Sequence, residues 1–313
     1  PGALGDVLLA IPALRALKHS RPDAPLVLAA QPRIGELLRA LGLVDRTVAF
    51  ESLHLDALFR EETIELGDAE LLRIFLRPPS VQAGPAVPAT MVSWFGARDQ
   101  DFVARLTALV PGAVIAPSSE AGRLVWQHLL ASVSAPLAQA DRWRTPVPVP
   151  ARLTDEGRRA VLDAGWNGET PLVVVHPGAG GVGKRWPAAG FAAVLARLAA
   201  RGGIMLAVHQ GPADVEAVAA LEARFPGPKI VLKEPSLPAL AGLLGCATAY
   251  LGNDSGVSHL AAALGMPSVV LFTANKLDWR PWARHVEILT VRTSALDTAD
   301  CDRVATAMMG LLG

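Results

Sequence analysis

Short, almost unbroken apolar runs alternate with longer segments of helical periodicity along the chain, and this alternation limits the possible fold more than any other feature. Residues 172–176, 204–209 and 268–272 are the clearest apolar runs. A strand that is apolar at successive positions is buried on both faces, which is typical of parallel sheets covered by helices. The alternation therefore predicts an α/β fold built from strand–helix–strand units.

The predicted elements form two similar series. In the first half of the chain, strands are predicted at 26–30, 47–50, 91–94 and 113–116, and helices at 34–41 and 99–110. In the second half, strands are predicted at 172–176, 204–209, 229–232, 248–251, 268–272 and 287–291, with helices that begin near Pro187, Pro212, Ser236 and Ser255 and a last helix over 299–312. A further strand is expected to precede Pro1, because residues 2–9 have the pattern of a strand-to-helix turn and the start of a helix, which Pro12 is expected to kink.

A proline at every second position of the segment 145–150 separates the two series. Because proline fixes φ and restricts the residue before it, such a segment forms a short, stiff connector. We therefore predict one domain over 1–147 and a second over 148–313, with the last helix (299–312) packed back on the first domain. With 313 residues, of which 51% are hydrophobic, the chain has enough apolar material for two cores.

Charge and cysteine content exclude several classes of protein. Lys+Arg and Asp+Glu both number 29, so the formal net charge is zero and no nucleic-acid partner is predicted. Cys246 and Cys301 lack the spacing of a zinc site and are too few for a disulfide framework. The first residues show no signal-peptide pattern, and no run reaches the ~18 apolar residues of a membrane span. The expected location is the cytoplasm, with at most peripheral contact at the inner face of the membrane.

The first motif with a chemical meaning is Gly-Ala-Leu-Gly-Asp at 2–6. Glycines at a strand-to-helix turn let the backbone approach a ligand closely, and ligands of open α/β sheets bind at the carboxyl ends of strands. Asp6, at the start of the helix, therefore has two interpretations. It is either an acid that caps the helix or a general base that faces the cleft between the domains.

The second motif is the loop after the strand at 172–176, which reads His-Pro-Gly-Ala-Gly at 176–180 and Lys-Arg-Trp-Pro at 184–187. The backbone N–H groups of this loop, together with Lys184, predict an anion site. The loop matches the start of a P-loop, G-x-x-x-x-G-K, but Arg185 stands where Ser or Thr would hold Mg²⁺, which disfavours an ATPase.

The third motif is Asn-Asp-Ser-Gly-Val-Ser-His-Leu at 253–260, at the start of a predicted helix whose N–H groups would bind an anion. Asp254 is either a cap or a ligand contact, and His259, one turn after Ser255, faces either the ligand or the core. Ser255 lies outside a G-x-S-x-G motif, so it is not predicted to be a nucleophile. His176 is interpreted as a buried structural histidine, and because it lacks metal-ligand spacing with His259, no metal is predicted.

The three motifs, in this order and spacing, resemble the heptosyltransferase family, glycosyltransferase family nine, over essentially the whole chain. The resemblance implies a GT-B-like architecture, in which two Rossmann-like, doubly wound parallel-sheet domains face each other across a cleft. It implies that the domain over 1–147 binds the acceptor and that the domain over 148–313 binds the sugar nucleotide. It also implies an inverting, metal-independent glycosyltransferase without a cofactor, which moves a heptose or a similar sugar from an ADP-sugar to an acceptor hydroxyl. The implied partners are a sugar nucleotide (ADP-heptose) and a glycan or lipid-linked acceptor, as in lipopolysaccharide synthesis.

The resemblance implies roles for individual residues as well. Asp6 matches the general base, and Gly5 and Arg98 lie in the domain implied to bind the acceptor. Lys184 matches the lysine that binds the diphosphate, and Glu216 matches an acid that contacts the ribose. The other positions that match the donor site are Gly178, Gly180, Asp254, Ser255, Gly256, Val257 and His259.

Two features depart from the family. Ala179 and Gly180 stand where some members carry hydroxyl side chains, so the backbone would hold the phosphates. Acidic residues dominate the stretch 51–70, which is typical of a solvated face. The acidic stretch also argues against a strongly anionic acceptor at this segment. Positive charge in the same domain would be supplied instead by Arg73, Arg77, Arg98 and Arg105. Since a fold does not fix a function, a nucleotide-sugar epimerase, an NTPase and a non-catalytic sugar-nucleotide-binding relative stay open as alternatives.

Overall fold

The computed structural model describes residues 2–59 and 91–313, and its helices and strands are numbered through those two ranges. Residues 60–70 of the acidic stretch, together with Arg73 and Arg77, lie outside the described residues. Within them, helices alternate with strands, and each strand pairing is parallel. These features confirm the α/β fold class predicted from the alternation of apolar runs.

In the N-terminal part, the elements are α1 (Leu4–Leu9), α2 (Ile11–Ser20), β1 (Val27–Ala30), α3 (Pro32–Ala40), β2 (Arg46–Ala49), β3 (Val92–Ser93), α4 (Gln100–Leu109), β4 (Val114–Ile115) and α5 (Val125–Ser132). β1 pairs with β2, and β3 pairs with β4, as two separate parallel pairs. The helix expected to be kinked at Pro12 is instead two helices that meet at Ala10. Pro12 lies in the first turn of α2, where its missing N–H breaks no helical hydrogen bond.

In the C-terminal part, the elements are α6 (Ala151–Asp163), β5 (Leu172–His176), α7 (Ala188–Arg201), β6 (Met205–Gln210), α8 (Val215–Glu222), β7 (Ile230–Lys233), α9 (Leu237–Cys246), β8 (Ala249–Asn253), α10 (Gly256–Ala263), β9 (Ser268–Phe272), β10 (Val286–Thr290) and α11 (Thr298–Leu312). The strands form one six-stranded parallel sheet in the order β10-β9-β8-β5-β6-β7. The chain winds outward from β5 to β7 and then crosses back to β8, so the sheet is doubly wound and its order reverses between β5 and β8. β5, β8 and β9 are buried along their whole length, which accounts for their continuous apolar character.

The connector between the two parts is bonded to both of them. Arg15 of α2 donates hydrogen bonds to the carbonyl oxygens of residues 143, 145 and 146, and the backbone N–H of Val147 donates to Ala263 at the end of α10 (2.8 Å). The indole N–H of Trp282 donates to the carbonyl oxygen of Leu8 in α1 (2.9 Å). Consequently, the largest group of buried apolar residues includes side chains from both parts.

The last helix, α11, packs on α7 and on β8 and β9. Its buried residues, which include Cys301, Val304 and Met308, join a core cluster formed by residues 173–312. The helix therefore covers the six-stranded sheet, and among the described residues its main packing is with the second predicted domain rather than with the first. None of the helices in the described ranges combines the length and the apolar character needed to cross a bilayer.

Candidate functional site

The segments with predicted functional residues meet where the order of the six-stranded sheet reverses. The loop 177–187 leaves β5, and the turn at Asp254 and Ser255 leaves β8, and these two strands are neighbours in the sheet. Because successive connections diverge at such a point, a crevice opens at the carboxyl ends of the strands, and ligands of doubly wound folds bind there. The location of the candidate site thus follows from the topology alone.

One buried carboxamide fixes these two segments relative to each other. Nδ2 of Asn253 donates to the carbonyl oxygens of Pro177 (2.8 Å) and Gly178 (3.3 Å), and Oδ1 accepts from the backbone N–H of Trp186 (3.0 Å). Asn253 is fully buried at the end of β8. Both ends of the glycine-rich loop are therefore anchored on the sheet, while its middle, Val182–Lys184, forms a 3₁₀ turn near the surface.

The side chain of Lys184 returns from this turn to form an ion pair. Its Nζ lies 2.7 Å from Oδ2 of Asp254, and Oδ1 of the same carboxylate lies 3.7 Å from Nε2 of His259. Burial acts to raise the pKa of Asp254, but the contacts with His259 and Lys184 outweigh burial and hold the pKa below its usual range. Asp254 therefore carries a negative charge near neutral pH and orients the cation of the loop.

The N-terminus of α10 lies against α1. Oγ of Ser255 caps the helix by accepting from the backbone N–H of Ser258 (3.3 Å). A Cβ at Gly256 would come within 2.8 Å of Leu4, and a Cβ at Gly5 would come within 2.9 Å of His259. The two helices approach this closely because glycine stands at both contacts, so the N-terminal turns of α1 and α10 face the same crevice from opposite parts of the chain.

Asp6 lies in the first turn of α1 and is partly buried. Its Oδ2 accepts a hydrogen bond from the backbone N–H of Ala3 (2.8 Å). This bond is the helix-capping contact named in the first of the two interpretations of Asp6. This bond engages one of the two carboxylate oxygens, so the cap does not exclude a function as a general base.

A cavity of about 470 Å³ lies between these elements. Its wall combines the first turn of α1 and Arg33 from the N-terminal part with loops at the carboxyl ends of β5, β6, β7 and β8. Of the residues predicted to bind ligands, the wall contains Gly5, Gly180, Ser255, Gly256 and Val257. Gly180 leaves open space where a side chain would project, so the backbone of the glycine-rich loop is accessible to a ligand.

The other predicted residues lie outside the wall, and they include Asp6, which directly follows the wall residue Gly5 in α1. Gly178, Asp254 and His259 are buried behind it, and Lys184 lies beside it, paired to Asp254. Glu216 is exposed on α8, with Oε2 4.0 Å from Nη1 of Arg185. Arg98 is exposed just before α4.

Four titratable residues of the wall were not singled out by the sequence patterns: Arg33, His209, Asp214 and Glu234. For His209, the signal in the sequence was its place at the end of a predicted strand, since the ends of parallel strands meet at one edge of the sheet. Glu234 directly follows β7 and has a left-handed backbone (φ 48°), which is uncommon for a residue other than glycine and clusters at functional sites.

His209 brings His176 into a buried pair. The register that aligns Val175 with Val208 places both imidazoles at the same edge of the sheet, with their Nδ1 atoms 3.0 Å apart. Burial lowers the pKa of His176 to about 4, and burial together with the neighbouring His176 lowers the pKa of His209 to about 3. Both rings are therefore neutral at physiological pH, and His176 is buried as expected from the sequence.

A family model described as glycosyltransferase family 9 (heptosyltransferase) matches residues 116–306 of the chain. Lipopolysaccharide heptosyltransferase 3 of Escherichia coli is 32% identical over 120 residues, which cover 36% of this chain and 35% of that protein. Lipopolysaccharide heptosyltransferase 2 of Salmonella typhimurium is 30% identical over 148 residues, which cover 45% of this chain and 42% of that protein. The matched segments thus span less than half the length of these curated relatives.

Solved structures resemble the whole chain. The glycosyltransferase family 9 protein of Veillonella parvula has a TM-score of 0.76 at 16% identity, covering 99% of this chain and 94% of its own. ADP-heptose lipopolysaccharide heptosyltransferase II of E. coli has a TM-score of 0.71 at 18% identity, covering 100% and 96%. E. coli heptosyltransferase WaaC, solved with ADP, has a TM-score of 0.67 at 16% identity, covering 99% and 97%. These likenesses confirm the GT-B-like fold class.

Proposed function

Since the chain belongs to glycosyltransferase family 9, the heptosyltransferase family, we propose that it transfers a heptose or a similar sugar from an ADP-sugar to an acceptor hydroxyl. The observation that carries the proposal is the cavity between the first turn of α1, the turn that carries Asp6, and the crevice at the carboxyl ends of β5 and β8. ADP as the leaving group is supported by relatives named for ADP-heptose or solved with ADP.

The donor diphosphate would lie between the glycine-rich loop and the N-terminus of α10. The backbone at Gly180 is open and lets phosphate oxygens approach closely, and N–H groups at Ser255, Gly256 and Val257 point out of the first turn of α10. Lys184 adds a positive charge, which Asp254 and His259 hold in place. This set of groups stabilises the negative charge that develops on the departing diphosphate. We therefore propose that transfer needs no metal ion.

Asp6 would act as the general base. In a single displacement, Oδ1 takes the proton of the acceptor hydroxyl while its oxygen attacks the anomeric carbon and the bond to the ADP phosphate breaks. One displacement inverts the configuration at that carbon. Gly5 permits close approach next to this acid, and Arg98 would contribute positive charge on the acceptor side. A lipopolysaccharide-type glycan, reached peripherally from the cytoplasmic side, is the proposed acceptor class.

The test begins with calorimetric binding of ADP, UDP, GDP and ATP, with EDTA or with Mg²⁺. We expect selective binding of ADP in EDTA, about 10-fold to 100-fold weaker in Lys184→Ala, because this variant cannot form a charge-assisted hydrogen bond to the diphosphate. Lys276→Ala, which removes an exposed lysine just after β9, is the matched control. Transfer from ADP-heptose in EDTA, followed by NMR of the product, should show the inverted anomer.

Two outcomes would reject the proposal. Binding of ATP that needs Mg²⁺ and ends in hydrolysis would favour an NTPase. A retained anomeric configuration would exclude a single displacement with Asp6 as the base.

A further inference from the structure

Three buried polar side chains meet in the wall of the cavity. His176 ends β5, His209 lies in β6, and Asp214 directly precedes α8. Their exposed fractions are only 2%, 5% and 7%. Two imidazoles and a carboxylate are removed from bulk water here yet border the same open space.

The distances within this cluster suit a single bound ion. The two Nδ1 atoms are 3.0 Å apart, and each of the three side chains offers a ligand atom within 4.8 Å of the others. Imidazole nitrogens that bind one zinc ion at about 2.0–2.1 Å, with near-tetrahedral angles, lie roughly 3.3 Å from each other. To bind an ion, the two rings would need only a small movement, and the carboxylate of Asp214 would need to move closer to them.

We propose that His176, His209 and Asp214 bind one first-row transition-metal ion of the Zn²⁺ type, with the remaining coordination position open to the cavity. Two imidazoles and one carboxylate form a ligand set for such ions. Mg²⁺ and Ca²⁺, which prefer oxygen ligands, fit poorly.

The surroundings of Asp214 are built to admit its carboxylate. Oδ2 accepts a hydrogen bond from the backbone N–H of Gly211 (2.9 Å), and the same oxygen lies 3.9 Å from Nε2 of His176. A Cβ at Gly178 would come within 1.9 Å of Oδ1, so only glycine leaves room for the carboxylate at this point. An oriented carboxylate with an outer hydrogen bond is the usual arrangement around a metal-binding acid.

Without an ion, the two imidazoles are hydrogen-bonded to each other and Oδ2 of Asp214 accepts from Gly211, but the carboxylate stays 3.9 Å from Nε2 of His176, beyond hydrogen-bond distance. A metal ion uses all three side chains at once. The inference does not rest on the proposed transfer reaction, in which Asp6 and Lys184 act without a metal. Transfer in EDTA and metal binding are measured separately, so failure of one leaves the other intact.

The test is a titration of the EDTA-treated full chain with Co²⁺, followed by visible absorption. We expect a saturable band at one equivalent, which Zn²⁺ displaces. Asp214→Asn and His209→Gln should each weaken binding more than about 100-fold, since loss of an outer partner alone costs 10-fold to 100-fold. The matched control is His128→Gln, which removes another buried histidine that has one carboxylate neighbour, Glu120 (3.2 Å), and it should bind like the wild type.

Co²⁺-shifted imidazole resonances of the wild type count the histidine ligands directly, so the test does not depend on the variants folding. Two shifted imidazoles support the site. No saturable band, fewer than two shifted imidazoles, or equally weakened binding in His128→Gln would overturn the inference.

Discussion

The two walls of the cavity are held together in different ways. On the C-terminal side, Asn253 links the glycine-rich loop to β8, and Asp254 holds Lys184 and His259, so segments distant in sequence are fixed by buried side chains. On the N-terminal side, Asp6 is bonded to the backbone of its own first turn. The difference indicates that the side proposed to bind the donor is preassembled by tertiary contacts, whereas the proposed base depends on local ones. Changes to the donor side should alter stability and affinity together, and changes to Asp6 should alter turnover alone.

The largest effect is expected for Asp6→Asn. Asparagine keeps the oxygen that accepts from Ala3 but cannot take the acceptor proton, so kcat should fall by about 1,000-fold, within the range for general-base catalysis. The Kd for ADP and the melting temperature should stay unchanged. Asp101→Asn, an exposed acid in the first turn of α4, is the control. If Asp6→Asn lost stability or ADP affinity to the same extent as kcat, the proposed difference between the two sides of the cavity would be wrong.

Acidification should weaken the C-terminal wall through its histidine pair. His176, with a pKa near 4 when folded and about 6.5 when unfolded, binds its proton more readily in the unfolded chain. The free energy of unfolding should therefore fall as pH drops below 6.5, by about 3 kcal/mol at pH 4 from this residue. Urea unfolding across this range, in EDTA, measures the slope. His209→Gln should reduce the slope of the free energy of unfolding against pH, whereas His19→Gln, on the surface of α2, should leave the slope unchanged. Identical slopes in the wild type and both variants would contradict the prediction.

Asn253→Ala should lower stability and donor affinity together. The change leaves a buried N–H and two carbonyl oxygens of the loop without their partner, at a cost of about 2 kcal/mol in the free energy of unfolding. Because the loop carries Lys184, ADP binding should weaken by about 10-fold. Asn275→Ala, which changes an exposed asparagine, is the control. Lower stability with unchanged ADP affinity would show that the loop keeps its conformation without this anchor.

The smallest effect is expected for Glu216→Ala. Its side chain is 92% exposed on α8 and lies outside the cavity wall, so the Kd for ADP should change by less than about 2-fold. Calorimetry resolves this from the 10-fold change expected for Asn253→Ala. A rise of 10-fold or more in the Kd for ADP would instead support the contact with the ribose that the family resemblance implies for Glu216. Such a contact would require α8 to move towards the ribose when the donor binds.

How far the sequence predicts the fold depends on how each element is buried. The predicted strands 172–176 and 268–272 coincide with β5 and β9, because both are buried on each face and read as unbroken apolar runs. Helices α5 and α6 were not predicted. In α6 the signal is weak, since its buried residues Leu153, Gly157 and Val161 are spaced by four and separated by polar positions.

The candidate site, like the fold, was predictable from the sequence only in part. The motifs at 176–187 and 253–260 were expected to meet, because the topology brings the carboxyl ends of parallel strands to one edge. Their side-chain partners were not predictable, because the pairing of His176 with His209 depends on the register between β5 and β6. The contact of Lys184 with Asp254 likewise depends on the path of a loop through space.

The connector at residues 143–150 has a consequence for protein engineering. Its prolines suggest a joint between domains, where an inserted tag, a fluorescent protein or a permuted terminus would normally be tolerated. Here, however, three of its carbonyl oxygens are bonded to Arg15 and the N–H of Val147 is bonded to Ala263. An insertion would pull these acceptors away from the partly buried guanidinium of Arg15, so the connector is among the least suitable places for an insertion or a new terminus.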